Sequence, residues 1–291
     1  MLSFAFILLA LVAARGSDET NRSERKQDIE YVRVDGHALK LDLHLPKTAA
    51  RSPLIVWVHG GAWRAGSKGD MPLEAIVAEG YAIASVDYRL STEAKFPAQI
   101  HDIKAAIRFL RAHAGEWNLP AEKIVIAGNS AGGHLAALVG VSNGQAELEG
   151  TEGTCRDASS SVQGIVSFYG ASNLTTILDQ STPHGLSVRV PALDLLLGGN
   201  PRDFPALTRL ASPIFHVDGG DPPLLLLHGD QDPQMPIEQS IELRDTYQKA
   251  NLPVQYVVVP GAAHGGDAFY DQERLGIMVK FLRKFESAST P

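Results

Sequence analysis

Six short, mostly uninterrupted apolar runs constrain this chain more than any other feature. They are Leu54–His59 (LIVWVH), Tyr81–Val86 (YAIASV), Ile124–Ala127 (IVIA), Gly164–Phe168 (GIVSF), Leu224–His228 (LLLLH) and Val254–Val259 (VQYVVV). A strand with one wet face alternates apolar and polar residues, whereas a strand covered on both faces has no need to. The runs therefore predict strands of a mostly parallel sheet with helices on both faces. Amphipathic stretches separate them. In Pro97–Ala114 the residues Ile100, Ile103, Ile107 and Leu110 fall at helical spacing, with a proline at the first helical position. Ile237–Ala250 and Tyr270–Phe285 predict two further helices. Ahead of the first run, Ile29–Val34 and Leu39–Leu45 flank Asp35-Gly36, a hairpin signal. Within the second arm LKLDLHL alternates strictly, which predicts one wet face. The expectation is a single doubly wound α/β domain over residues 29–287, with about eight strands opened by an antiparallel hairpin.

Two stretches interrupt the alternation. Residues 143–162 are rich in Ser, Gly and Glu, and residues 171–221 hold short apolar pieces broken by Pro183, Pro191, Pro201, Pro205 and Pro213. Both follow strands, the ends at which such sheets bind ligands, so they are expected to form a small lid or cap. At the start, Leu2–Ala14 (LSFAFILLALVAA) is apolar but spans only about 20 Å as a helix, short of a bilayer core. Small residues follow, and the stretch predicts a secretory signal peptide over residues 1–16, although the segment ahead of it carries no Lys or Arg. Residues 17–28 then read as a linker, Ser287–Pro291 as a frayed tail, and the product as secreted or periplasmic, with no stable membrane insertion after cleavage.

Composition removes several classes of partner. Against 33 acidic residues stand 26 Lys and Arg, a net charge of -7, which argues against nucleic acid and anionic membranes. The single cysteine, Cys155, makes neither an internal disulfide nor a cysteine metal cluster. Histidine spacing suggests no metal site, and no glycine-rich nucleotide motif occurs, so no cofactor is expected. The sequence carries no signal for oligomeric state.

One motif carries chemistry. Gly128-Asn129-Ser130-Ala131-Gly132 follows the run IVIA directly and opens the helical stretch HLAALVG. Gly-x-Ser-x-Gly between a strand and a helix is a nucleophile elbow, whose tight turn excludes bulk two residues either side of the serine. The serine then stands at a helix N-terminus, which favours a developing anion. A second glycine-rich turn, His59-Gly60-Gly61-Ala62-Trp63, ends LIVWVH. The N–H groups of Gly61 or Ala62, together with that of Ala131, can form an oxyanion hole. Serine needs an imidazole to take its proton and an acid to orient that imidazole. With a strand-borne elbow both follow the serine in the chain. His264, in the loop PGAAHGG after VQYVVV, is the preferred base over His184, His216 and His228. Asp230 and Asp232, in HGDQD after LLLLH, both qualify as the acid.

Taken together, HGGAW, DYRLS, FPAQIHDIKAAIRFLR, GNSAGGH, LLLLHGDQDPQMP and PGAAHGG resemble the α/β-hydrolase fold over Ile29 to Phe285. They resemble in particular the esterases related to hormone-sensitive lipase, including the bacterial acetylxylan and feruloyl-esterase-like carboxylesterases. The resemblance implies Ser130 as nucleophile, His264 as base and, from the HGxxDxxxP pattern, Asp232 as acid. It implies a serine carboxylesterase working through an acyl-enzyme, acting on small-molecule or polysaccharide-linked esters such as acetyl or feruloyl groups of plant polysaccharide. Two departures stand out: HGGAW where lipase-like members carry HGGG, and Met235 where valine is common. An arylformamidase-type amidase and a catalytically inactive binding protein of the same fold are the alternatives. Asp102 and Asp87-Tyr88-Arg89 read as braces beneath the site, and His134 as a packing or hydrogen-bonding group. Trp63 fits packing and pocket lining equally, and Cys155 reads as a bystander.

Overall fold

Eight strands form one sheet within residues 23–286, the residues that the computed structural model describes. They are β1 (Glu24–Val34), β2 (His37–Leu45), β3 (Arg51–Val58), β4 (Tyr81–Val86), β5 (Ile124–Asn129), β6 (Gly164–Phe168), β7 (Leu224–Gly229) and β8 (Val254–Val259). Their order across the sheet is β1-β2-β4-β3-β5-β6-β7-β8. β1, β2 and β4 pair antiparallel, and every pair from β4 to β8 is parallel. The β1–β2 turn places Asp35 and Gly36 at positive φ, 49° and 83°, as the twist of a two-residue hairpin demands.

Nine α-helices accompany the sheet among the described residues: α1 (Glu74–Ala78), α2 (Ala98–Ala112), α3 (Ala131–Gly140), α4 (Ala146–Glu149), α5 (Ile177–Gln180), α6 (Pro183–Leu197), α7 (Pro205–Leu210), α8 (Glu238–Lys249) and α9 (Gln272–Leu282). Residues of β3 alternate between two cores. Leu54, Val56 and Val58 join one with α2, α3 and α8, while Ile55 and Trp57 join the other with α1 and α9. This double cover is what the uninterrupted apolar runs require.

Four expectations need correction. The alternating face of β2 is not wet: Asp42 and His44 are buried. β2 is paired on both sides, and its polar face is covered by charge, with Lys68 and Arg25 each 2.8 Å from Asp42. Burial alone would raise the Asp42 carboxyl, but these two cations and the Asp28 N–H hold it below the usual range. Conversely β8, whose apolar run suggested double cover, is an edge strand that leaves Val258 exposed. The linker expected over 17–28 is already strand from Glu24, paired to β2. Residues 171–221 are largely helical rather than broken pieces. Pro183 and Pro205 each stand in the first turn of a helix, where a missing N–H is no loss. Only Pro191 lies inside one. The signal peptide expected over residues 1–16 and the tail expected over Ser287–Pro291 fall outside the described residues. No helix among the described residues is long and apolar enough to cross a membrane.

Candidate active site

The turn from β5 into α3 is steric in origin. A Cβ on Gly132 would sit 2.0 Å from the Val58 carbonyl oxygen, and one on Gly128 would sit 2.4 Å from that of Gly132. Neither position admits another residue without moving the backbone. Between them Ser130 takes φ 53°, a conformation disfavoured for a non-glycine residue and expected at a strained elbow. Its N–H is held by the Phe168 carbonyl at 2.9 Å.

The structure brings the three expected residues together. Ser130 Oγ lies 2.8 Å from His264 Nε2, and His264 Nδ1 lies 2.6 Å from Asp232 Oδ2. A carboxylate only accepts, so Nδ1 carries the proton and Nε2 is left to accept from the serine hydroxyl. The other Asp232 oxygen accepts the N–H groups of Gln234 and Met235, each at 2.8 Å. Burial would raise the Asp232 carboxyl, but hydrogen bonds from His228 and His264, the charge of His264 and the Met235 N–H hold it far below the usual range. Asp230, the rival acid, accepts the Gly261 N–H at 2.7 Å.

The rival histidines are accounted for separately. His228 is buried, its Nδ1 2.7 Å from Ser240 Oγ and its Nε2 3.1 Å from the Met235 carbonyl. It braces the acid loop and stands 3.5 Å from Asp232 Oδ2. His216 is satisfied by the Leu210 carbonyl at 2.8 Å, and His184 lies outside the cavity wall. Cys155 likewise does not line the cavity; its Sγ is 3.8 Å from His113.

The loop after β3 sits beside the elbow. Gly61, Ala62 and Trp63 are all at positive φ, and a Cβ on Gly61 would meet the Ala65 carbonyl oxygen at 2.1 Å. The N–H groups of Gly61, Ala62 and Ala131 donate to no protein acceptor among the described residues. Gly61 and Ala62 line the same cavity as Ser130. Trp63 resolves to packing: it is buried, and its Nε1–H donates to His134 Nδ1 at 3.1 Å. His134 in turn donates from Nε2 to the Ala211 carbonyl at 2.7 Å. Burial pushes this imidazole down to about 4, against the Ala211 bond and with the nearby Arg189 charge. One buried histidine therefore ties the loop, the elbow helix and the 171–221 insertion together.

The expected braces are also found. Tyr88 donates to the His59 carbonyl at 3.1 Å and stacks on the His59 ring. Buried Asp102 grips the Arg89 guanidinium through both oxygens, at 2.7 and 2.9 Å, and accepts its N–H. Asp87 takes the Lys68 N–H at 2.7 Å.

The cavity measures about 620 Å³. Several of its walls had no signal in the sequence. Tyr169, just past β6, sits edge-on to His264 at 4.9 Å and shares a hydroxyl contact of 3.3 Å with Tyr270. Its place after a strand was the one available clue. Met71, Arg189 and Gln234 lie in loops and in α6, where nothing distinguishes a lining residue from a surface one. No cluster of three or more His, Cys, Asp or Glu that could hold a metal occurs among the described residues.

With this geometry in place, residues 41–247 match the BD-FAE family, well over half of the chain. The chain belongs to that family. This BD-FAE chain is 34% identical over 226 residues to Esterase LipC of Mycobacterium tuberculosis, a match covering 74% of this chain and 53% of that protein. It spans about half the length of the curated relatives it matches. Among solved structures it is similar to a truncated carbohydrate esterase from gut microbiota, with TM-score 0.81 and 32% identity over 93% of this chain and 99% of that one. It is also similar to the propionate-bound thermophilic esterase Est2 of Thermogutta terrifontis, with TM-score 0.73 and 28% identity over 94% and 98%. The fold of this BD-FAE chain is that of the α/β-hydrolases, as the motif order implied.

Proposed function

We propose that this protein is a serine carboxylesterase that cleaves esters through an acyl-enzyme. The observation that carries the reading is the continuous chain Ser130–His264–Asp232, with contacts of 2.8 and 2.6 Å. His264 Nε2 takes the hydroxyl proton as Ser130 Oγ attacks the ester carbonyl. The tetrahedral oxyanion is met by the N–H of Ala131 and that of Gly61 or Ala62. His264 then protonates the departing alcohol, and water, activated by the same imidazole, releases the acid. Asp232 fixes the His264 tautomer and stabilises its charged form; because Asp232 is itself held ionised, it accepts a hydrogen bond without taking the proton.

The substrate class proposed is an ester of a small or aryl acid, of the acetyl or feruloyl kind, on carbohydrate. Similarity to a carbohydrate esterase and to a propionate-bound esterase supports it. The apolar stretch Leu2–Ala14 supports export to where polymer-bound esters lie. Fractionating cells that express the full chain tests that point.

The test of the chemistry is turnover of p-nitrophenyl acetate by the wild type and by Ser130→Ala. A fall of about four orders of magnitude or more in kcat is expected. Equal rates from the two proteins would remove Ser130 from the reaction.

A further inference from the structure

Arg189 lies on α6 and lines the cavity that holds Ser130 and His264. The residue is 1% exposed. Its Nε donates a long bond, 3.4 Å, to the Gln234 carbonyl, while the buried Nη1 meets no acceptor among the described residues. A guanidinium offers five donors in a rigid fork, and burying it without an anion is costly. The cost is visible here: burial pushes Arg189 down to about 10, Asp232 pulls against this, and the charge of Arg64 adds to it.

Among the described residues no carboxylate pairs with this fork. Asp232 is the carboxylate whose field reaches Arg189, and its oxygens are taken by Gln234, Met235 and His264. Asp70 also lines the cavity, but it is exposed and its side chain accepts the Ser67 N–H. In a chain of net charge -7, the charge of Arg64 also acts on Arg189. A cation lining a cleft acts on an anionic ligand that enters it.

We propose that Arg189 binds a carboxylate carried by the substrate, so that the preferred esters are anionic. The proposal rests on the esterase reading of Ser130 and narrows its substrate class. The carboxylate can belong to the acid half, as in a dicarboxylic acid monoester, or to the alcohol half, as in an acetylated uronic acid glycoside. Both halves present the same planar acceptor to the same fork.

The test compares matched pairs. In one arm p-nitrophenyl hydrogen adipate is set against p-nitrophenyl hexanoate; in the other, acetylated methyl glucuronide against acetylated methyl glucoside. The wild type is expected to favour the anionic member by about tenfold in kcat/KM in one arm, chiefly through KM, and that arm identifies the half that carries the charge. Arg189→Met should bring that ratio to about one, through a loss on the anionic member larger than any on the neutral one. Equal or better use of the neutral member in both arms overturns the proposal. So does an equal fall on both members in Arg189→Met, which would make Arg189 only a brace for the Gln234 loop. If Arg189→Met does not fold, the wild-type ratio is followed with added salt and in Arg189→Lys. A ratio that declines with salt supports the charge contact, and one that ignores salt and the lysine overturns it. Loss of the esterase reading is distinguishable, since then no ester would turn over faster with the wild type than with Ser130→Ala.

Discussion

The elbow at Ser130 and the insertion over residues 171–221 share one cavity but are held in different ways. At the elbow, backbone meets backbone: the Val58 carbonyl stands where a Cβ of Gly132 would lie, 2.0 Å away, and the Phe168 carbonyl fixes the Ser130 N–H. The insertion is docked by side chains reaching carbonyls. Thr182 donates to Pro233 at 2.7 Å, Arg189 to Gln234, and His134 to Ala211. Each such bond contributes about 1 kcal/mol and can be replaced singly. The difference separates two jobs. The Ser130 hydroxyl is placed by sterics that admit one residue type, whereas the pocket wall is attached by contacts that can vary without disturbing it.

The comparison is broken most directly at the glycines. Gly132→Ala is expected to cost at least about 3 kcal/mol, or to abolish the folded state, because the obstruction is backbone. Gly219→Ala, in the insertion with no atom near its added Cβ, should stay within about 0.5 kcal/mol of wild type. Urea melts of the two variants check both. Similar stabilities would show that the elbow is not sterically dictated.

His134 is where the two regions join, and it sharpens the comparison through pH. Its folded value is near 4 against an ordinary 6.5. Below 6.5 the unfolded chain takes up a proton that the folded chain refuses. The stability from neutral His134 is therefore complete above about pH 6.5 and drains as pH falls toward 4, by about 3 kcal/mol in all. Urea midpoints between pH 4.5 and 7.5 should show this decline, and His134→Gln should be less stable at pH 7.5 but flatter across the window. An unchanged slope in the variant would place the acid sensitivity elsewhere.

A smaller effect is expected at Thr182, whose side chain accepts the Gly185 N–H at 3.0 Å to cap α6 while donating to Pro233. Thr182→Val should lose about 1 kcal/mol and change KM more than kcat, since α6 carries a cavity wall and not the triad. Steady-state kinetics beside a thermal melt measure it, and a loss confined to kcat would contradict the division of labour.

The same division explains what could be read from the sequence. Ser130 and the loop at Gly61 and Ala62 were legible because a tight turn admits few residue types, so chemistry leaves a local mark. The strands were legible because double cover demands unbroken apolar runs. β8 shows the limit, since an edge strand can carry the same composition as a central one. β2 shows another: whether Asp42 faces water depends on Lys68, which arrives from a loop after β3. The prolines of the insertion suggested breaks, yet Pro183 and Pro205 begin helices. A proline's meaning there depends on where the helix starts. Choosing Asp232 over Asp230 required the family pattern, because two residues of spacing in a loop settle nothing; in the structure it is Asp232 that His264 contacts. Arg189 left no mark at all, being one arginine on a helix whose packing is set by tertiary contacts.

The central claim is that Ser130 is the nucleophile, activated by His264 and Asp232. The most direct measurement is intact-protein and peptide mass spectrometry after treatment with a fluorophosphonate, a reagent that phosphonylates activated serine. The account predicts one adduct per chain, on the peptide that contains Ser130, greatly slowed in His264→Ala and missing in Ser130→Ala. An adduct on another residue, or equal labelling of Ser130→Ala, would contradict it.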